Sequence, residues 1–237
     1  MYYYLVQHPQ IRHSTTKEIH FFDRGATFPV EYYKKRQYDY RFHFPLKSEL
    51  KDSKITGEAT PSYIFHPETA GRIYYLIPDV KLIVLLRNPI ERAISQFFHQ
   101  KIKKYEPLPM MEAFQAEEER LAPIWKYKDY DNEAFRRFSY KTRGLYHQQL
   151  ERYLDRFPRE QILILNSEEF FQEPQRILKR VYGFLDVDQE FAVKNLKPRN
   201  VSINRTRVPR EVYDYLAAYF EAPNQALFKI LGTHYDW

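Results

Sequence analysis

A chain of 237 residues, 43% hydrophobic and 29% charged, has the length and composition of a globular α/β protein rather than of a disordered one. The absence of cysteine excludes disulfides, thiolate metal sites and a cysteine nucleophile, and a reducing cytoplasm is the simplest compartment to reconcile with it. A formal charge of +6 favours an anionic partner without choosing among nucleotide, glycan, nucleic acid and membrane surface.

No apolar run approaches the roughly 20 residues of a membrane span, and the N-terminus lacks the basic, apolar, small-residue order of a signal peptide. The sequence has no repeat, no low-complexity tract and no Gly/Ser linker, and only six glycines in all, so one domain over 1–237 is the simplest organisation. Twenty-one Tyr and 18 Phe supply core packing and flat surfaces on which sugars or bases can stack.

Met1 to His8 is helix-compatible and stops at Pro9, which cannot continue a helix. A helix opening at His66-Pro67 puts Ala70, Ile73, Tyr74 and Ile77 on one face and ends at Pro78-Asp79. Lys81 to Leu86 (KLIVLL) is the short apolar run expected of a strand buried on both faces of a parallel sheet. Asn88 then caps a helix with Pro89 at its first position and Glu91 three residues after the cap. Its buried stripe is Ile90, Ala93, Ile94, Phe97 and Phe98. Lys104 to Tyr140 reads as a helical insertion. Tyr146 to Phe157 is an amphipathic helix, followed after Pro158 by the strand Gln161 to Leu165. Gln175 to Leu185 and Val208 to Ile230 read as further helices. Strands alternating with helices imply a parallel sheet.

Arg87 sits where the Lys81 to Leu86 strand emerges, and ligands of open parallel sheets bind beyond the carboxyl ends of strands. Its forked guanidinium suits a phosphate. Ser95 follows eight residues later, off the apolar stripe. Taken singly, each could equally be a strand-end salt bridge or an exposed helical serine. Glu18 and His20 lie two apart, so on a strand both would point to one face. There they could share a proton task or simply be solvated.

Together, Arg87-Asn88-Pro89-x-x-Arg92-Ala93-x-Ser95 resembles the 3′-phosphate-binding element of sulfotransferases that use 3′-phosphoadenosine 5′-phosphosulfate (PAPS). Lys17-Glu18-Ile19-His20-Phe21-Phe22-Asp23 is similar to a segment of the heparan-sulfate glucosaminyl sulfotransferases and their bacterial relatives. Thr142 to Tyr146, Tyr219 to Asn224 and Tyr235-Asp236-Trp237 match later elements of that family, so the resemblance covers essentially the whole chain.

The resemblance implies a P-loop-like α/β sulfotransferase fold, with Glu18 as catalytic base, His20 in support and Asp23 orienting. Arg87 and Ser95 would grip the 3′-phosphate, and the basic loop Lys197 to Arg207 would cover the nucleotide through Arg199, Asn200 and Ser202. PAPS would be co-substrate and no metal is required. The implied activity is sulfuryl transfer to a hydroxyl or amine of a glycan, glycolipid or small metabolite.

Two departures stand out. Ala59 occupies the place of a lysine that precedes the Thr-Pro step in the glucosaminyl enzymes. The family's first strand and its Lys-x-Gly-Thr-Thr type loop would precede Met1, so the expectation is an N-terminally incomplete, self-associating domain. A degenerate domain that binds a nucleotide or a partner without turnover is the second reading. A nucleic-acid-binding protein is the third, disfavoured by 31 acidic residues interspersed with the basic ones.

Overall fold

The structure, a computed structural model, describes residues 1–25, 28–50, 54–197 and 208–237. Four strands lie among these residues: β1 (Ile11–His13) and β2 (Ile55–Gly57), three residues each with a single Ile, and the aliphatic runs β3 (Leu82–Leu86) and β4 (Ile162–Asn166). The described helices of eight residues or more are α1 (Thr69–Leu76), α2 (Pro89–Ile102), α3 (Glu117–Tyr127), α4 (Tyr146–Leu154), α5 (Pro174–Leu185) and α6 (Arg210–Leu231).

The strands pair in parallel, β1 with β2 (Ile11 opposite Ile55) and β3 with β4 (Leu82 opposite Ile162, Leu86 opposite Asn166). A parallel pair cannot be closed by a tight hairpin, and long helical connections separate the partners in both cases. The result is an α/β fold of parallel sheets flanked by helices.

The chain divides into two compact units. The first comprises Met1–Arg24, Phe28–Leu86 and Leu154–Arg199. Its principal core gathers Tyr4, Ile11 of β1, Leu165 of β4 and Phe170 around α5, where Ile177, Leu178, Val181 and Tyr182 share one buried face. Burying Ile177, Leu178 and Val181 contributes roughly 1.5–3 kcal/mol each. The helix stops at Asp186, whose φ of 58° is left-handed. Its carboxylate pairs with Lys81, which also donates to the Phe184 carbonyl. A second, aromatic centre joins Phe21, Phe22, Tyr33 and Tyr40, with Phe22 and Tyr40 centroids 4.9 Å apart. Arg72 stacks on Tyr33 and donates to the Phe22 carbonyl at 2.9 Å.

The second unit comprises Gly25–Thr27, Arg87–Tyr153 and Asn200–Trp237. Asn88 caps α2 by accepting from the amides of Ile90 and Glu91 at 2.9 and 3.2 Å, as its sequence signature predicts. Ala93, Ile94 and Phe97 of α2 share a core with Val212, Leu216 and Phe220 of α6 and with Phe114 and Tyr140. The insertion expected over Lys104 to Tyr140 is helical, built from Met110–Gln115, α3 and Glu133–Phe138.

Several expectations shift. The first helix is only Tyr2–Leu5, α1 begins at Thr69 rather than His66, and α4 ends at Leu154 rather than Phe157. β3 is not buried on both faces, for Leu85 is 36% exposed. Among the described residues it pairs with β4 alone, and a two-stranded ribbon leaves side chains fewer neighbours to cover them. The Lys17 to Asp23 segment is a loop rather than a strand.

Candidate active site

In the first unit, β2 ends at Gly57 and delivers Glu58, Thr60, Ser62 and Tyr63 alongside the loop that carries Glu18. The Ala59 amide donates to the Lys17 carbonyl at 3.0 Å, tying the two segments together. His20 adopts a φ of 56°, a left-handed conformation in which His is enriched among non-glycine residues. That reversal replaces the period-two geometry of a strand, and it still brings Glu18 and His20 together.

His20 Nδ1 lies 2.8 Å from Asp23 Oδ2, and its Nε2 lies 3.7 Å from Glu18 Oε2. A carboxylate only accepts, so Nδ1 carries the hydrogen toward Asp23 and the ring turns its Nε2 edge toward Glu18. Ser62 Oγ donates to the same Asp23 oxygen. Asp23 Oδ1 is buried without a hydrogen-bond partner among the described residues. The line from Asp23 to Glu18 runs from inside to outside, with side chains 7% exposed at Asp23, 31% at His20 and 41% at Glu18. Lys17 Nζ pairs with Glu18 Oε1 at 2.7 Å. The arrangement holds a carboxylate at the surface, backed by an imidazole whose orientation is fixed from below.

Beside this loop lies a further carboxylate, Glu58, that no sequence motif singles out. Burial pushes its carboxyl upward in pKa, against hydrogen bonds from Thr60, Tyr63, the Ile19 amide and Tyr40 that favour the ionised form. The signal was a polar run, Glu58-Ala59-Thr60-Pro61-Ser62-Tyr63, directly after a strand too short to stand out by periodicity.

In the second unit, Arg87 precedes the α2 cap, and its guanidinium is 37% exposed, 4.0 Å from Glu91 Oε2. Glu91 and Ser95 are four apart on α2 and so lie on one face, which places Arg87, Glu91 and Ser95 along one ridge. Tyr146 donates to the Arg87 carbonyl at 3.0 Å, fixing the backbone from which the guanidinium extends. Arg92 points elsewhere, donating to Gln96 and to the Tyr140 carbonyl. Arg199, Asn200 and Ser202 lie outside the described residues. Among the described residues no three His, Asp or Glu side chains converge as a metal site would require.

Residues 5–208 match the family of the sulfotransferase domain. The chain belongs to the sulfotransferase family. Membrane-associated sulfotransferase kil1 of Dictyostelium discoideum is 27% identical in an alignment covering 99% of this chain and 63% of that protein. Heparan sulfate glucosamine 3-O-sulfotransferase 6 of Mus musculus is 30% identical, with 99% of this chain and 68% of that protein covered. The chain therefore spans a little under two thirds of the length of the first of these sulfotransferases. A solved sulfotransferase from Alicyclobacillus acidocaldarius superposes with a TM-score of 0.78 at 28% identity, over 98% of this chain and 90% of that one. The family uses PAPS as sulfuryl donor, and the parallel α/β architecture found here is shared with that solved sulfotransferase.

Proposed function

We propose that the chain catalyses sulfuryl transfer from PAPS to a hydroxyl or amine of a glycan, glycolipid or small metabolite, with Glu18 as general base. The observation that carries this reading is the Glu18, His20 and Asp23 line in a chain that belongs to the sulfotransferase family. A surface carboxylate can approach an acceptor and remove its proton, and the imidazole oriented by Asp23 stands 3.7 Å behind it. A glycan hydroxyl is favoured because relatives named for 3-O-sulfation of heparan sulfate glucosamine align along nearly the whole chain.

The reaction balances without a covalent enzyme intermediate. Glu18 removes the acceptor proton as the acceptor oxygen or nitrogen forms its bond to sulfur. The bond from sulfur to the 5′-phosphate oxygen breaks, and 3′-phosphoadenosine 5′-phosphate leaves. As in phosphoryl transfer, alignment and charge stabilisation carry most of the catalysis. The ridge of Arg87 and Ser95 fits the 3′-phosphate. Its guanidinium is partly exposed, and its carboxylate neighbour stands at 4.0 Å, too far for a hydrogen bond that an anion would have to displace.

A PAPS-dependent assay on a panel of desulfated glycans, glycolipids and small alcohols and amines tests this reading. Glu18→Gln should lower kcat by roughly 10²–10⁴-fold while leaving the affinity for 3′-phosphoadenosine 5′-phosphate unchanged. Nucleotide binding without transfer to any acceptor would instead favour a non-catalytic nucleotide-binding domain.

A further inference from the structure

Four consecutive backbone amides of the Glu18 loop, those of residues 19 to 22, all lead to one carboxylate. The Ile19 amide donates to Glu58 Oε2 directly at 3.4 Å. The His20 amide donates to Thr60 Oγ1 at 3.5 Å, and the Thr60 hydroxyl passes its own hydrogen to Glu58 Oε2 at 2.5 Å. The amides of Phe21 and Phe22 donate to the Tyr63 hydroxyl at 2.9 and 3.5 Å, and Tyr63 donates to Glu58 Oε1 at 3.0 Å. Tyr40, buried against Phe21 and Phe22, supplies the fourth donor to Glu58 at 3.1 Å.

An ionised carboxylate offers about four lone-pair sites, and Glu58 receives four hydrogens, from Ile19, Thr60, Tyr40 and Tyr63. Each bridging hydroxyl donates its hydrogen to Glu58 and accepts from the loop, Thr60 from one amide and Tyr63 from two. The Tyr40 and Tyr63 hydroxyls keep their hydrogens, since burial first, and then the Glu58 charge, push both far above the ordinary phenol range. Uncharged glutamine could not reproduce the pattern, because its amide nitrogen would meet a donor.

From this we infer that Glu58 is a positioning residue for sulfuryl transfer: it holds the backbone of residues 19 to 22 in the left-handed bend that aims Glu18 and His20. The inference rests on the proposed role of Glu18 for its catalytic consequence, but not for the anchoring itself. Several weak amide bonds gathered on one charge explain how a loop without regular structure keeps a φ of 56° at His20. They also give the half-buried carboxylate a role that an apolar residue could not fill.

The test uses the full chain and reads the loop and the chemistry separately. Amide hydrogen exchange at residues 19 to 22 should accelerate roughly tenfold or more in Glu58→Gln and in Tyr63→Phe, while exchange within β4 stays at the parental rate. The kcat of Glu58→Gln should fall roughly tenfold to a hundredfold with the KM for PAPS within about twofold of the parent. Placed on Glu18→Gln, the same change should add almost no further loss, because its effect passes through Glu18. Thr60→Ala should reproduce the defect and Thr60→Ser should restore it.

Unchanged exchange at residues 19 to 22 in a folded variant would overturn the inference whatever the activity. So would a parental kcat in Glu58→Gln, or a full additional loss on Glu18→Gln. If Glu58→Gln does not fold, Tyr63→Phe and Thr60→Ala, each cutting one limb, must show the same signature. If the parent transfers no sulfuryl group to any acceptor while exchange behaves as expected, the functional reading fails and the anchor stands.

Discussion

His20 Nδ1 is held 2.8 Å from Asp23 Oδ2, an oxygen that also receives the Ser62 hydroxyl, so the imidazole is oriented from its buried side and meets Glu18 with its other nitrogen. The order matters: the group that fixes the ring is buried, and the group that faces an acceptor is exposed.

Asp23→Asn keeps the size of the side chain and removes its charge. The expected result is a kcat reduced by roughly tenfold to a hundredfold, with calorimetric affinity for 3′-phosphoadenosine 5′-phosphate unaltered, because ring orientation rather than nucleotide binding is lost. An Asp23→Asn enzyme with parental kcat would take His20 out of the proton path.

The parts of this arrangement visible in the sequence are those with local causes. Asn88, Pro89 and Glu91 announce a helix start through capping chemistry alone, and the cap forms as expected. The alternation of apolar runs and amphipathic stretches is enough to give β3, β4 and a parallel pairing. β1 and β2 are three residues each, too short for any periodicity to register, and their pairing depends on residues more than forty apart. Glu58 was hidden for the same reason. Its significance lies in four hydrogens from distant or irregular backbone and side chains, which no spacing rule encodes. The His20 bend is equally non-local, since hydrogen bonds to Thr60, Tyr63 and Glu58 sustain it rather than the propensity of Lys17 to Asp23.

Arg87→Ala should weaken binding of 3′-phosphoadenosine 5′-phosphate by about 1.5–3 kcal/mol, the range for a charge-assisted hydrogen bond, and Ser95→Ala by about 0.5–1.5 kcal/mol. Titration calorimetry at two salt concentrations checks both the size and the origin. The Arg87 contribution should shrink as salt rises, and the Ser95 contribution much less. Equal affinity in the parent and in Arg87→Ala would remove this ridge from the nucleotide site.

Gly144 is required by close approach rather than by backbone angle. A Cβ built there would stand 2.7 Å from Phe220 Cε1 and 2.9 Å from Pro89 Cβ, inside any tolerable contact. Phe220 is fully buried and Pro89 begins α2, so neither can move away cheaply. Gly144→Ala should cost about 1–3 kcal/mol as an overpacking change. Urea denaturation of the two proteins gives the number, and an unaltered midpoint would mean that the core around α6 yields more readily than its burial suggests.

The last prediction concerns pH. Glu106, 2% exposed, accepts two hydrogen bonds from Arg120 at 2.6 and 3.0 Å, one from the Leu108 amide and one from Tyr140. Burial by itself would raise its pKa, but the bonds from Arg120, Leu108 and Tyr140 together hold the carboxyl below the usual range. A carboxyl whose folded value lies below its unfolded value stabilises the fold above the unfolded value of about 4.3, and loses that contribution as pH falls through the folded value. Glu106→Gln breaks the pair and leaves Arg120 only partly solvated, at 21% side-chain exposure. At pH 7 the expected cost is about 3 kcal/mol, the low end for a broken buried pair because Arg120 retains some contact with water. The cost should narrow as pH drops below about 4, where the parent loses the same charge. Urea midpoints for parent and variant across that pH range test the sign directly. A gap that stays constant or widens on acidification would show that Glu106 contributes through packing rather than through its charge.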